Sequence, residues 1–335
     1  MRIVSLLPSA TEIVCALGLG DNLVGVTHEC DYPAEVVADI PVVTSSILPG
    51  PREVTDEDGD VYEEYPTSRE IDDAVRAAVE AGESIYRIDH DLLRDLKPDL
   101  VLTQGLCDVC AVNHKAVAEA VAALGDPKVE VLDLAPTSLE GVLETFRRVG
   151  AATGKAAEAE ALVAQTRERW EAVRAKAATA PERPPRTLLL EWVDPPFSAG
   201  HWNPELLALV NATPGPWDAP GEPSRTLTWE EVVAFAPEML VLIPCGLDAD
   251  RAVEEAEVLP ELVPGWYDLP AVRHGECYAV DGNAYFNRPG PRLAESAEIL
   301  ATVLHPETMM SMVPPYSVRR FPEDLVKRPK EPTEA

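Results

Sequence analysis

The sequence predicts an α/β chain of two lobes, each built on a parallel-type sheet, joined by a long rigid α-helix. Three observations carry this expectation. Short apolar runs alternate with amphipathic stretches over 1–137, and the same alternation resumes over 186–305. Between them, Lys155 to Ala178 is a Pro-free run rich in Ala, Glu, Gln and Arg; at ~1.5 Å per residue it makes a rod of roughly 36 Å, enough to cross between lobes. The run stops at the linker Ala180-Pro181-Glu182-Arg183-Pro184-Pro185. The organisation is therefore an N-terminal lobe over 1–137, connecting helices and linker over 138–185, a C-terminal lobe over 186–305, and a Pro- and charge-rich tail over 306–335 expected to pack loosely.

Arg2–Leu7 reads as a buried strand closed by Pro8, and Ser9 or Thr11 caps the helix that runs to about Leu17. Leu23–Thr27 is the next strand and enters the polar loop His28-Glu29-Cys30-Asp31-Tyr32-Pro33. The acidic stretch from Thr55 to Tyr65 reads as a surface excursion, and Ile71–Ala81 is helical by its apolar spacing. A short helix, Leu92–Leu96, is stopped by Lys97-Pro98, and Asp99–Thr103 is a buried strand. In the second half, Thr187–Trp192, Met239–Ile243 and Cys277–Val280 read as strands; Asn203–Val210, Thr228–Phe235, Asp250–Leu259 and Pro291–Leu304 read as helices.

Composition removes two partner classes. The 335 residues carry 28 Lys+Arg against 58 Asp+Glu, a net charge of −30, so neither nucleic acid nor an anionic membrane surface finds the cationic patch it needs. The 46% hydrophobic content supports packed cores. Acidic residues spread along the whole chain suggest a halophilic surface that salt must screen. No segment reaches about 18 apolar residues, so no membrane insertion is expected. The opening MRIVSLLPSATEIVCALGLG is interrupted by Pro8, Ser9, Thr11 and Glu12 and lacks a cleavage site, which points to a cytoplasmic location; a longer gene start would restore an extracytoplasmic one.

The six cysteines then read as thiols or ligands. Cys30, Cys107, Cys110 and Cys245 all follow predicted strands, and Cys107-Asp108-Val109-Cys110 has the spacing that lets two sulfurs reach one ion. With His28, or His201, they form a candidate site for thiolate-bound Zn, Fe or Co. A redox dithiol and buried, inert cysteines remain alternatives. Cys15 and Cys277 read as core residues.

A second group of candidates lies in aromatic loops. Trp192, Phe197 and Trp202 bracket Asp194-Pro195-Pro196 and share a loop with His201. Tyr285, Arg288 and Arg292 precede a helix, where a guanidinium suits a ligand's carboxylate, phosphate or amide, or pairs with acidic neighbours. Trp217 and Trp266 sit in Pro/Gly-rich loops, as rim or lid positions would. Dinucleotide, phosphate-loop and nucleophile-elbow motifs do not occur: Gly18-Leu19-Gly20 lacks the third glycine and follows a helix.

Several pieces in order resemble one family: Val4-Ser5-Leu6-Leu7-Pro8-Ser9-Ala10-Thr11-Glu12, Asp31-Tyr32-Pro33, Leu96-Lys97-Pro98-Asp99-Leu100-Val101, Pro195-Pro196-Phe197-Ser198-Ala199-Gly200 and Phe235-Ala236-Pro237-Glu238. From Arg2 to Leu304 the chain is similar to the substrate-binding proteins of vitamin B12 and ferric-siderophore ABC importers, the class III type with two Rossmann-like lobes on a helical backbone. The resemblance implies a cleft between lobes holding a corrinoid or other metal chelate, with Tyr32, Phe197 and the loop Tyr285–Arg292 as cleft residues; the aromatic-loop reading adds Trp192, His201 and Trp202 to Tyr285 and Arg288 as ligand-binding candidates. It also implies docking on a permease through one acidic residue per lobe, here Asp91 and Glu230.

Two functions follow. The first is non-catalytic binding of a small-molecule metal complex, with an ABC importer permease as the partner. The second is a cytoplasmic metalloprotein or metal-dependent enzyme, in which Cys30, Cys107, Cys110 and Cys245 hold the ion and His28, Glu29 or His201 moves protons.

Overall fold

Ile3, Val4 and Ser5 are buried on both faces, the environment of an inner parallel strand, and they form β1 (Ile3–Ser5). The computed structural model describes residues 1–56, 59–105, 114–180, 183–307 and 313–328. These fall into two compact units, one from Met1–Pro136 with Glu140–Gln165, the other from Thr137–Leu139 with the chain after Thr166.

In the first unit β1 is followed by α1 (Pro8–Ala16), β2 (Leu23–Gly25) and α2 (Ala34–Val37). Next come β3 (Thr44–Ser46), β4 (Arg52–Thr55), β5 (Val61–Glu64), α3 (Ser68–Ala81), β6 (Tyr86–Ile88) and α4 (His90–Leu96). The last three are β7 (Leu100–Thr103), α5 (His114–Ala123) and β8 (Glu130–Asp133). The main sheet has the order β2-β1-β7-β8 and every pairing in it is parallel. Val4, Leu6, Val101, Leu93, Leu96 and Val117 are packed in one core cluster against it. Proline fits the first turn of α1, which has no need of that N–H. In α3, Thr67 and Glu70 cap each other's backbone amides, and Gly82 closes the helix in the left-handed region. The acidic stretch takes part in an antiparallel strand pair, with β4 and β5 paired from Arg52↔Glu64 to Thr55↔Val61.

α6 (Leu139–Thr153) and α7 (Ala156–Ala177) follow. The 22 residues of α7 span about 33 Å, and they begin in the first unit and end in the second. The end of α7 is fixed within the second unit. Arg169 donates to Glu295 at 3.0 Å and to Glu298 at 2.8 and 2.9 Å, and the Trp170 indole N–H donates to the Leu293 carbonyl at 3.3 Å.

The second unit contains β9 (Thr187–Trp192), β10 (Phe197–Ser198), α8 (Asn203–Leu209), α9 (Trp229–Phe235), β11 (Met239–Leu242) and α10 (Ala249–Ala256). It continues through α11 (Leu259–Leu262), α12 (Pro270–His274), β12 (Cys277–Val280), α13 (Leu293–Leu304), β13 (Val318–Arg320) and α14 (Glu323–Val326). The sheet order is β10-β9-β11-β12-β13. β9, β11 and β12 are parallel, and both edges are antiparallel.

Two expectations are corrected here. Residues 318–326 do not hang loosely: β13 pairs with β12, Phe321 and Leu325 join the core, and Arg319 forks Asp250 at 2.6 and 3.0 Å. Trp266 is not a lid residue either. It is 1% exposed, and its indole N–H donates to the Leu325 carbonyl at 2.6 Å, so the tail satisfies a core tryptophan.

Candidate functional site

Parallel strands bring their carboxyl ends to one edge of a sheet, where loops are free to present side chains. In the second unit that edge carries the loops after β9, β11 and β12. β9 ends at Trp192, and a short antiparallel return puts Phe197 of β10 directly opposite it in register. Directly opposed residues share one face with Cβ atoms about 5 Å apart, so Trp192 and Phe197 present their rings from neighbouring positions of the same face. Both are half-buried.

After β12, Asp281 caps a single wide turn over Gly282–Phe286 by accepting the Ala284 N–H at 2.6 Å. Gly282 is required there, because a Cβ would collide with the backbone of Ile243 and Pro244 after β11. Asn287 locks the same two segments, donating to the Ile243 carbonyl at 2.7 Å and to Gly282 at 3.0 Å. The half-buried Tyr285 ring has the Arg292 guanidinium 5.5 Å from its centroid. Burial, then the Asp248 carboxylate, push the Asp281 carboxyl above its usual range, while Arg288 and Arg292 pull it down.

His201 sits in the left-handed region at φ 55° and is half-buried. Burial lowers its proton affinity, favouring the neutral ring. Trp202 lies deeper than a ligand-facing residue would. It is 5% exposed, its ring is 5.7 Å from His201, and its N–H donates to the Phe286 carbonyl at 2.9 Å. Arg288 is likewise 5% exposed and donates to Asn283 at 2.9 Å, which makes it a brace of the turn. Arg292, four residues on, is the more open of the two guanidinium groups.

In the first unit the loop after β2 presents Tyr32, 47% exposed. The Cys30 sulfur lies 3.1 Å from the Thr11 hydroxyl and 3.3 Å from that of Thr27. His28 contacts the Thr44 hydroxyl through Nδ1 at 2.8 Å and Glu29 through Nε2 at 3.3 Å. Cys245, after β11, is exposed. Cys107 and Cys110 lie outside the described residues. Among the described residues no group of three or more His, Cys, Asp or Glu side chains is arranged to hold a metal ion. Asp91 and Glu230 are exposed acids in the first turns of α4 and α9.

One network escaped the sequence reading. Glu191, the next-to-last residue of β9, accepts from Asn203 at 2.9 Å and from the Ser224 hydroxyl. Ser224 in turn accepts the Gly200 N–H at 3.0 Å. These residues lie far apart in sequence, and no local signal announced them.

The sequence profile of the family described as periplasmic binding protein matches residues 3–284. The chain belongs to that family. A curated relative from Bacillus subtilis (strain 168), the uncharacterized ABC transporter substrate-binding lipoprotein YvrC, is 28% identical over 312 residues, covering 92% of this chain and 81% of the relative. The periplasmic heme-binding protein RhuT from Roseiflexus sp. RS-1 has 25% identity and a TM-score of 0.64, covering 91% of this chain and 98% of its own. The vitamin B12 binding protein BtuF of Vibrio cholerae has 20% identity and a TM-score of 0.62, over 90% and 96% of the two chains. As a periplasmic binding protein the chain is a substrate-binding protein and not an enzyme, which removes the metal-dependent enzyme from the two functions above. None of these relatives supports the cytoplasmic location expected from the opening residues. Among the described residues, no helix is long and apolar enough to cross a membrane.

Proposed function

We propose that this periplasmic binding protein captures a metal chelate with a broad apolar face, a corrinoid or a haem-type macrocycle, and hands it to an ABC importer permease. The observation that carries the reading is the cross-strand pair Trp192–Phe197 on the strand-end edge that also bears Tyr285 under Arg292. Flat aromatic faces suit a macrocycle, and a guanidinium suits carboxylates or amides at its rim. Support comes from RhuT, a heme-binding protein, and BtuF, a vitamin B12 binding protein. Tyr32, exposed on the loop after β2, is a further proposed ligand contact. The lipoprotein relative favours an extracytoplasmic placement.

Titrating the full chain with cyanocobalamin and, separately, with hemin tests this through the ligands' visible bands and tryptophan quenching. One of the two should saturate at a single site, and Phe197→Ala should weaken it by about tenfold, ~1.4 kcal/mol. Failure of both probes to bind at about 100 μM, an affinity of roughly −5.5 kcal/mol, rejects the ligand class.

Asp91 and Glu230 are the proposed permease contacts, being exposed acids on helix starts of different units. The variants Asp91→Arg and Glu230→Arg should keep the chelate affinity and lose uptake in cells that express the importer. Undiminished uptake removes both residues from docking.

A further inference from the structure

Asp218 is a buried carboxyl that the ligand reading does not use. It is 9% exposed; Oδ2 accepts the Gly215 N–H at 3.1 Å, and Oδ1 has no hydrogen-bond partner among the described residues. A carboxylate ion in that position would leave charge on an unsolvated, unpaired oxygen, whereas the neutral acid is far cheaper to bury.

The segment that carries it, 213–226, is a strap laid along 197–201. The Ser198 N–H donates to the Arg225 carbonyl at 2.9 Å, the His201 N–H to the Glu222 carbonyl at 2.6 Å, and the Gly221 N–H to the His201 carbonyl at 2.9 Å. Side chains add to this, with the Arg225 N–H on the Ser198 hydroxyl at 3.2 Å and the Gly200 N–H on Ser224 at 3.0 Å. Gly200 has no room for a Cβ against the strap's backbone at Pro223 and Ser224. At the strap's other end Thr213 bridges to Arg186, just ahead of β9.

We infer that Asp218, buried with one carboxyl oxygen unpaired, is a positioning residue: it seats the 213–226 strap, and through it fixes Phe197 and His201, so that this loop loosens as pH rises. The assignment of 197–201 as a ligand loop rests on the proposed function; the tether itself does not.

The groups facing Asp218 are few. Arg225, on the same strap, is the charged one; it also donates to Glu231 of α9 at 2.7 Å and covers Trp217 at 5.8 Å. β10 contributes the Ser198 hydroxyl, and α9 contributes the uncharged Phe235 against Trp217. Burial dominates and raises the carboxyl from 3.8 to about 7, against the Gly215 amide, Ser198 and Arg225, which favour the ion. A raised acid contributes its stabilisation fully below the open-state value near 3.8, and that contribution is lost as pH climbs through about 7. His201, pushed the other way by burial, is already neutral in the upper part of that window.

The test is amide hydrogen exchange of the peptides covering 197–201 and 213–226 at pH 5 and pH 8, corrected for intrinsic rates, in the wild type and in Asp218→Asn. Wild-type protection should fall on the order of tens of fold more than that of the variant, whose amide cannot ionise. Every other carboxyl is common to both proteins, so equal slopes overturn the inference. If Asp218→Asn does not fold, Asp218→Leu takes its place: an apolar side chain that cannot ionise should remove the pH dependence of protection, and a slope equal to that of the wild type overturns the inference. With cyanocobalamin or hemin as probe, wild-type affinity should weaken in step while that of Asp218→Asn stays flat. A protection slope without binding of either probe would sink the ligand reading and leave the tether standing.

Discussion

Cys277 and Cys245 show how far burial separates two residues of one type. Cys277 lies in the core of the second unit, where burial, and then Glu276, push its thiol up to about 12. Cys15 is raised to about 11 by burial and then by Glu12, whereas Cys245 is exposed. The thiolate is the reactive species, so at pH 8 an aromatic disulfide reagent should label Cys245 in the native protein and reach Cys277 only on unfolding. Peptide mapping of the adducts reads the order, and comparable rates at the two sites would contradict the burial argument. The sequence reading placed Cys277 in the core and assigned Phe197, Trp192 and Tyr285 to one set of loops. It did not separate them from Trp202 and Trp266. A tryptophan in a Pro/Gly-rich loop reads alike whether exposed or buried, and the deciding partners, the carbonyls of Phe286 and Leu325, are 84 and 59 residues away. Asp218 was equally hidden, since one acid among 58 carries no mark of its surroundings.

At the scale of elements, legibility followed how much of an element's cause is local. The apolar runs at Leu100–Thr103 and Met239–Leu242 are buried throughout, and Cys277–Val280 is buried but for the half-buried Tyr278; such runs announce themselves. Helix α7 was visible because twenty-odd residues without Pro or Gly have no competing structure. Helix α9 carries its start in the sequence, with Thr228 and Glu231 capping each other's amides. The β4–β5 pair was read as an excursion because its strands offer acidic residues where a sheet normally shows an apolar face. Glu53 even stands opposite Glu63, and the Arg52–Glu64 pair at 2.7 Å is what relieves that end. β13 was missed for the opposite reason. Three residues, Val318-Arg319-Arg320, hold too little pattern to outweigh the prolines around them, and their partner β12 lies some 40 positions earlier. The candidate site depends on such distant pairings, so its residue types were readable and its arrangement was not.

For the whole molecule the governing quantity is the net charge of −30. The structure shows how the cations are shared out. Arg147 serves Glu140, Glu144 and Glu160, and Arg169 serves Glu295 and Glu298. The Arg147 pairs, whose carboxylates are exposed, contribute about 0–1 kcal/mol each and weaken with salt, whereas those of Arg169 are half-buried and less screened. Repulsion among the surplus carboxylates acts at longer range and is screened as well, with the Debye length falling from about 10 Å at 0.1 M to about 3 Å at 1 M. The two responses have opposite signs, and the excess of 58 acidic over 28 basic residues decides between them in favour of repulsion. The unfolding temperature should therefore rise with NaCl between 0.1 and 1 M, and a gain of about 2 kcal/mol would appear as roughly 3 °C in a chain of 335 residues. Sodium chloride suits the measurement because, unlike sulfate, it adds little general stabilisation of buried apolar surface. An unfolding temperature that falls across this range would mean that the ion pairs outweigh the repulsion, and the halophilic reading of the surface would fail with it.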